Sequence, residues 1–251
     1  MRNEKIVPAV VVGLGGSGQM TLGHLNTLIW ARKGMRDIPL VELLAIDFKK
    51  ESEHLGDDEF LKLEVLGLSR LLERYPWVPD PERFPILRRI ASSDYQFEQG
   101  AAGIRVVGRA AFAMNRIRIR EALRHKAAMV MSRAARIRSS GAVAAESAAL
   151  RLWIVSSAVG GTGAGCLFDV AGNIKEQLEY PVYTCGLIFL PCCFTHVPED
   201  TFQRCKATGY ATIRELNHLL KGREFVADYG DEILSFRSLF DEVWIIDGIS
   251  K

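Results

Sequence analysis

The sequence has no long hydrophobic run. Its most apolar window, residues 185–194, is ten residues long and is cut by Pro191, about half of what a membrane helix needs. No membrane span is expected. A charge bias is also missing. The 32 Lys and Arg against 30 Asp and Glu leave a formal charge of +2, too mild to make nucleic acid an expected partner. The N-terminus lacks the charged, apolar and small-residue pattern of a secretory leader. Cysteine is scarce and odd in number, five in all, with four between Cys185 and Cys205. That usage excludes a disulfide framework and reads as reduced thiols in a cytoplasmic protein. Internal repeats and low-complexity tracts are absent too. What is present, 48% hydrophobic and 25% charged residues, is the balance of a domain with a filled core, which excludes disorder as the main state.

Strand and helix patterns alternate, the signature of a three-layer, Rossmann-like α/β fold with a mostly parallel sheet and helices on both faces. Residues 6–12, 40–47, 152–155, 182–190 and 243–246 read as strands. The first is a β-branched run without alternation, as expected of a strand buried on both sides. Helices are expected up to Lys33, over 59–74, from Val106 to a break near 139–141, after residue 160 (with Leu167, Val170, Ala171, Ile174 and Leu178 in period) and over 199–220. Residues 51–99 are the least regular part and read as an insertion, with a proline-punctuated loop at 76–85 and a short strand at 86–90. In the long helix Val107, Ala110, Met114 and Ile117 are expected to face inward. Arg116, Arg120 and Arg124 recur every four residues, joined by Arg118, Lys126, Arg133, Arg136 and Arg138. With no aromatic residues between them for base stacking, they read as a solvated basic face.

Two glycine loops carry the chemistry. GLGGSG, residues 13–18, lies between a strand and a helix. Glycine permits positive φ and a close backbone approach to an anion, and a helix N-terminus supplies unpaired N–H donors with a favourable dipole. Each charge-assisted bond of this kind contributes on the order of 1.5–3 kcal/mol. GGTGAG, residues 160–165, again follows a strand and opens a helix. Two such turns in one parallel sheet can grip a single polyphosphate from two sides, and Thr162 adds a hydroxyl between glycines. A Walker-type site is excluded because no lysine follows either loop.

These loops resemble those of the tubulin/FtsZ superfamily. GGTGAG with its preceding SSAV is similar to the family's signature loop, GLGGSG to its first phosphate loop, and GAAGIRVVGRAA, residues 100–111, to its loop against the terminal phosphate. All three stand in the family's order. The resemblance implies a GTP- or GDP-binding domain covering residues 1–251, with Mg2+ as a candidate companion. Gly15, Gly16, Ser17, Gly18 and Gln19 would border the α- and β-phosphates. Gly160, Gly161, Thr162, Gly163, Ala164 and Gly165 would wrap them from the other side. Ala101, Ala102 and Gly103 would approach the γ-phosphate, and Asp47 would sit near the metal or the phosphate loop. Glu199 would lie near the ribose, and Asp247 where guanine contacts begin. Asp47 reads equally well as an acid capping the turn that follows it.

In the family the last strand leads into a central helix, an acidic loop that activates water in a neighbouring subunit, and a second domain. Here the sequence stops at Lys251, directly after the expected last strand. The resemblance then implies nucleotide binding with little hydrolysis by this chain alone, since phosphoryl transfer depends on positioned groups. It also implies self-association, or a longer native chain that supplies the second domain. Two other functions fit parts of the sequence. A Rossmann-type enzyme, NAD(P)-dependent or of the ThiF/E1 adenylating kind, would use GLGGSG with Asp47. That acid lies 29 residues past Gly18, beyond the roughly 20 expected of a ribose acid, and no arginine-bearing segment of the ThiF kind follows it. A scaffold that has lost nucleotide affinity is the other. Cys192, Cys193, His196 and Cys205 fit no common zinc spacing, and adjacent thiols on an extended chain would point opposite ways.

Overall fold

Apolar strands that each end in a turn rich in glycine or acid, and then return through a helix, can only pair in parallel. The computed structural model, which describes residues 7–33, 40–65, 100–101, 103–139 and 149–248, has that arrangement. In chain order the described elements are β1 (Ala9–Leu14), α1 (Gly15–Lys33), β2 (Val41–Asp47), β3 (Phe60–Lys62), α2 (Arg105–Ser139), β4 (Leu150–Ser157) and α3 (Gly161–Gln177). β5 (Val182–Phe189), α4 (Glu199–Leu220), β6 (Phe225–Asp228), β7 (Ile233–Phe236) and β8 (Glu242–Ile246) follow. The main sheet has the order β3-β2-β1-β4-β5-β8, with every pairing parallel. β6 and β7 form a separate antiparallel hairpin.

Alternation along the strands sends side chains to two cores. Val10, Val12 and Leu14 of β1, with Leu152 and Ile154 of β4, join residues of α2 and α3 in the larger one. Val11, Leu43, Ala45 and Val155 point the other way and pack against Leu22 of α1. The chain therefore leaves β1 on one side toward β2 and β3, and later returns to β1's other side as β4. This reversal opens a crevice outside the carboxyl ends of β1 and β4, the place where open α/β sheets bind ligands.

Several sequence expectations are corrected. The expected helix over 59–74 is replaced at its start by β3, which pairs in register with Ala45, Ile46 and Asp47 of β2 and turns Leu61 and Leu63 into the core. Alternation over Phe60-Leu61-Lys62-Leu63 outweighed the helical tendency of leucine. Part of the supposed insertion is thus the edge of the main sheet. The expected loop at 76–85 and strand at 86–90 lie outside the described residues. Ile117, expected inward, is 60% exposed. The buried stripe of α2 runs instead through Ala111, Asn115, Ile119, Leu123, Ala127, Val130 and Ala134.

The basic face is also corrected, because much of it is turned into the protein. Arg116 and Lys126 are buried on α2. Lys126 Nζ donates to Glu42 of β2 at 2.9 Å and to Asp58 at 3.3 Å, and Arg133 reaches the same Glu42 at 2.6 Å. Burial alone would lower the Lys126 pKa, but the bonds and charges of Glu42 and Asp58 outweigh it and hold the ammonium above its usual range. Breaking a buried pair typically costs about 3–5 kcal/mol. Asp58 remains for Lys126, so Glu42→Ala should cost about 2 kcal/mol, read as a fall in unfolding free energy in urea. An unchanged midpoint would show that the ammonium escapes to water.

Candidate functional site at the two glycine loops

The two loops meet. GLGGSG turns from β1 into α1, and GGTGAG from β4 into α3, on neighbouring strands. Gly15 has φ +69°, a left-handed conformation that favours glycine. A methyl group placed on it would stand 3.1 Å from the Gly163 nitrogen and 3.4 Å from Cβ of Thr162. The third loop joins them. A methyl on Gly161 would lie 2.7 Å from both Cβ of Ala101 and the Ile104 nitrogen. One on Gly108 of α2 would lie 2.1 Å from the Gly161 carbonyl oxygen. Glycine at these positions lets α2 and α3 approach backbone to backbone.

The opening turns of α1 and α3 thus lie side by side, and helical geometry leaves their first N–H groups without intrahelical acceptors. Neither first turn contains an acidic residue, and Gly160 caps α3 without a side-chain bond. The Gly160 N–H itself donates to Ser157 Oγ at 3.2 Å. What remains is a set of backbone donors at two adjacent helix N-termini with positive helix potential, the kind of place that suits an anion.

Behind the donors stands a buried polar brace. Asp47 Oδ1 accepts from the Thr162 hydroxyl at 2.9 Å and the Phe48 N–H at 2.9 Å, while Oδ2 accepts from Gln19 Nε2 at 3.0 Å. Gln19, fully buried, also donates to the Lys49 carbonyl at 2.8 Å and accepts the Glu51 N–H at 2.9 Å. Burial pushes the Asp47 carboxyl above the usual carboxylate range against these three bonds, and Glu51 adds to the rise. Thr162 and Gln19, read from sequence as phosphate neighbours, therefore spend these bonds on holding the two loops and segment 48–51 together.

The structure places the remaining sequence candidates as follows. Gly16, Ser17 and Gly18 form the first turn of α1, and Ala164 and Gly165 continue α3 from the second loop. Gly18 packs on Gly13, and Gly165 lies under the Arg105 carbonyl. Gly103 has φ +73°, and among the described residues no atom lies within 4 Å of where a methyl on it would be. Ala102 lies outside the described residues. Asp247 follows β8 on the same rim of the sheet and accepts from the Cys192 thiol. Glu199 opens α4 as an exposed residue bonded to Gln203, and no described bond joins it to the loops. Cys192 and Cys193 do not point opposite ways, because the chain there is a 3-10 turn, Pro191–Phe194. Both thiols face residues 246–248.

Two neighbours escaped the sequence reading. Glu51 Oε2 lies 3.1 Å from where a methyl on Gly16 would be, so a carboxylate stands at the mouth of the first loop. Arg105 opens α2, donates to the Ala164 carbonyl at 3.3 Å, and forks onto Glu215 of α4. No motif marks Glu51, and within GAAGIRVVGRAA nothing singles out Arg105. Glu51 follows Asp47 by a single turn of chain, and Arg105 is the first basic residue after the third loop.

Residues 75–248 match the sequence family described as "Tubulin like". The chain belongs to that tubulin-like family. The match begins after GLGGSG, and the structure puts that loop beside the matched GGTGAG. Its fold is that of the tubulin/FtsZ superfamily. CetZ from Methanosaeta thermophila strain DSM 6194 shares it with a TM-score of 0.50 and 14% identity, over 84% of this chain and 43% of that one. CetZ2 from Haloferax volcanii, solved as a GTPγS-bound protofilament, aligns with a TM-score of 0.43 and 15% identity over 83% of this chain and 46% of its own. CetZ1 from the same organism, a GDP-bound monomer, aligns with 0.45 and 16% over 82% and 47%. The tubulin-like chain thus spans less than half the length of these structures. No curated protein matches its sequence.

Proposed function

We propose that this tubulin-like chain binds a guanine nucleotide, GTP or GDP, with the polyphosphate seated between the opening turns of α1 and α3. The observation that carries the reading is the contact of the Gly15 turn with Gly163, which sets the first turns of two helices side by side, where N–H groups lack intrahelical acceptors. Family membership supports guanine over adenine, and it supports self-association into protofilaments as the use of the site. Asp47 and Glu51 are the carboxylates beside the loops. Among the described residues no group of three or more His, Cys, Asp or Glu could hold a metal. A Mg2+ ion here would therefore complete its ligands from phosphate and water, as such ions commonly do. Little hydrolysis by the 251-residue polypeptide alone is part of this proposal. A cytoplasmic location belongs to the same reading; no described helix is long and apolar enough to cross a membrane.

The test is to denature the purified protein and identify the released nucleotide by chromatography, repeating it after incubation with candidate nucleotides. GDP or GTP is the expected product. Release of NAD(P) or AMP would replace the reading by a Rossmann-type enzyme. No bound nucleotide after any incubation would leave a scaffold that kept the fold alone.

A further inference from the structure

We propose that the groove between α4 and β6 is a docking site for an acidic, amphipathic helix of a partner protein. The groove has a volume of about 640 Å³. Its floor is apolar. Phe168 of α3 and Leu219 of α4 are buried there, and the Phe225 ring lies 6.1 Å from that of Phe168. Its walls continue the apolar surface into solvent, with Tyr210 70% exposed and Val226 55% exposed. Single exposed apolar residues are ordinary, but a cluster around one concavity marks an interaction surface.

Charge selects the occupant. The two carboxylates on the lip already have cations, Glu215 paired with Arg105 and Glu224 with Arg237. Arg214 and Lys221, also on the lip and exposed, form no ion pair among the described residues. The surplus charge is therefore positive, and a partner with acids flanking an apolar stripe complements it. Spacing selects the shape. Tyr210, Arg214 and Asn217 of α4 and its C-cap Lys221 recur at intervals of four, three and four along one side. They line the groove for roughly 16 Å, about three helical turns. An amphipathic helix laid into such a groove presents anchors at the matching i, i+3/i+4, i+7 positions.

The probe is a fluorescein-labelled helical peptide of roughly 14 residues, with leucine at those positions and glutamate beside them. It would be titrated into the full chain by fluorescence anisotropy. Saturable binding is expected, weakened about tenfold or more by the R214E/K221E double variant. Restored binding of that variant to a peptide with lysine for glutamate is the expected rescue. Hydrogen exchange of the unmodified chain should show peptide-dependent protection within residues 210–226, a readout independent of whether the double variant folds. Absence of saturable binding, indifference to R214E/K221E, or protection confined to other segments would overturn the proposal. So would concentration-dependent dimerisation that R214E/K221E abolishes, because the occupant would then be a second copy of this chain. None of these outcomes depends on nucleotide.

Discussion

Gly161→Ala is expected to lower guanine-nucleotide affinity about a hundredfold or more, with circular dichroism unchanged. The added carbon would lie 2.7 Å from Cβ of Ala101, 2.7 Å from the Ile104 nitrogen and 2.9 Å from the Ala101 carbonyl. Two of these three atoms are backbone, so no side-chain rotation relieves the overlap. The second and third loops must separate, and N–H donors at the start of α3 lose their aim. Losing two charge-assisted bonds of about 1.5–3 kcal/mol each corresponds to a hundredfold or more at about 1.4 kcal/mol per tenfold. Gly172→Ala is the control. It overfills the same helix, where its carbon would meet the Phe236 ring at 2.6 Å, but it stands about three turns from the loops. It should lower the melting temperature and leave affinity intact. Equal affinity in the Gly161 variant and the parent, measured with a fluorescent GDP analogue, would remove the polyphosphate from between these turns.

The parts of the fold legible in the sequence were those where one local pattern had one meaning. β4 and β5 could be read because buried parallel strands are continuous apolar runs. β8 could be read because residues 243–246 are a continuous apolar run, although Trp244 and Ile245 are exposed at the sheet edge, and α4 because it has matching start and stop signals. Its observed range, Glu199–Leu220, is the expected one. The two glycine loops were legible as strand-to-helix turns because glycine clusters between an apolar run and a helical period mark tight turns and close backbone approach. What failed was local pattern overruled by distant partners. Arg116 and Lys126 look like solvent residues until Glu42, Asp231 and Glu232 arrive from other elements to accompany them inward. Gln19 shows the same limit in what its side chain holds, since the sequence marks it only as the residue after a glycine loop. Its actual bonds go to residues 28 to 32 positions away in sequence, which no window along the chain reveals. The β6–β7 hairpin went unread for a different reason. Its strands are four residues each, too short for alternation to rise above noise.

That hairpin is held by a buried ionic cluster, and its central carboxylate gives the second large effect. Asp169→Ala should cost about 3 kcal/mol of stability in urea. Asp169, on α3, accepts from the Tyr229 hydroxyl at 2.7 Å and pairs with Arg109 Nε at 3.2 Å. Asn173 donates to the same Tyr229 oxygen at 2.8 Å, and the Arg116 guanidinium lies 4.6 Å above the Tyr229 ring. Removing the carboxylate takes the acceptor from a buried hydroxyl and one partner from a guanidinium. Arg109 keeps some access to water, which places the cost at the low end of the range for broken buried pairs. The pH dependence is distinctive. Burial raises the Asp169 carboxyl above its ordinary 3.8, despite the opposing charge of Arg109 and the Tyr229 bond. The native state then binds its proton more tightly than the unfolded chain does. This residue's share of stability therefore falls as pH climbs from 3.8 through the raised native value, the reverse of an ordinary paired aspartate. The stability gap between parent and Asp169→Ala should accordingly be widest at the acid end of that window and narrow as pH rises. A gap that widens with rising pH would mean that Arg109 wins over burial, and that the cluster clamps the hairpin by charge.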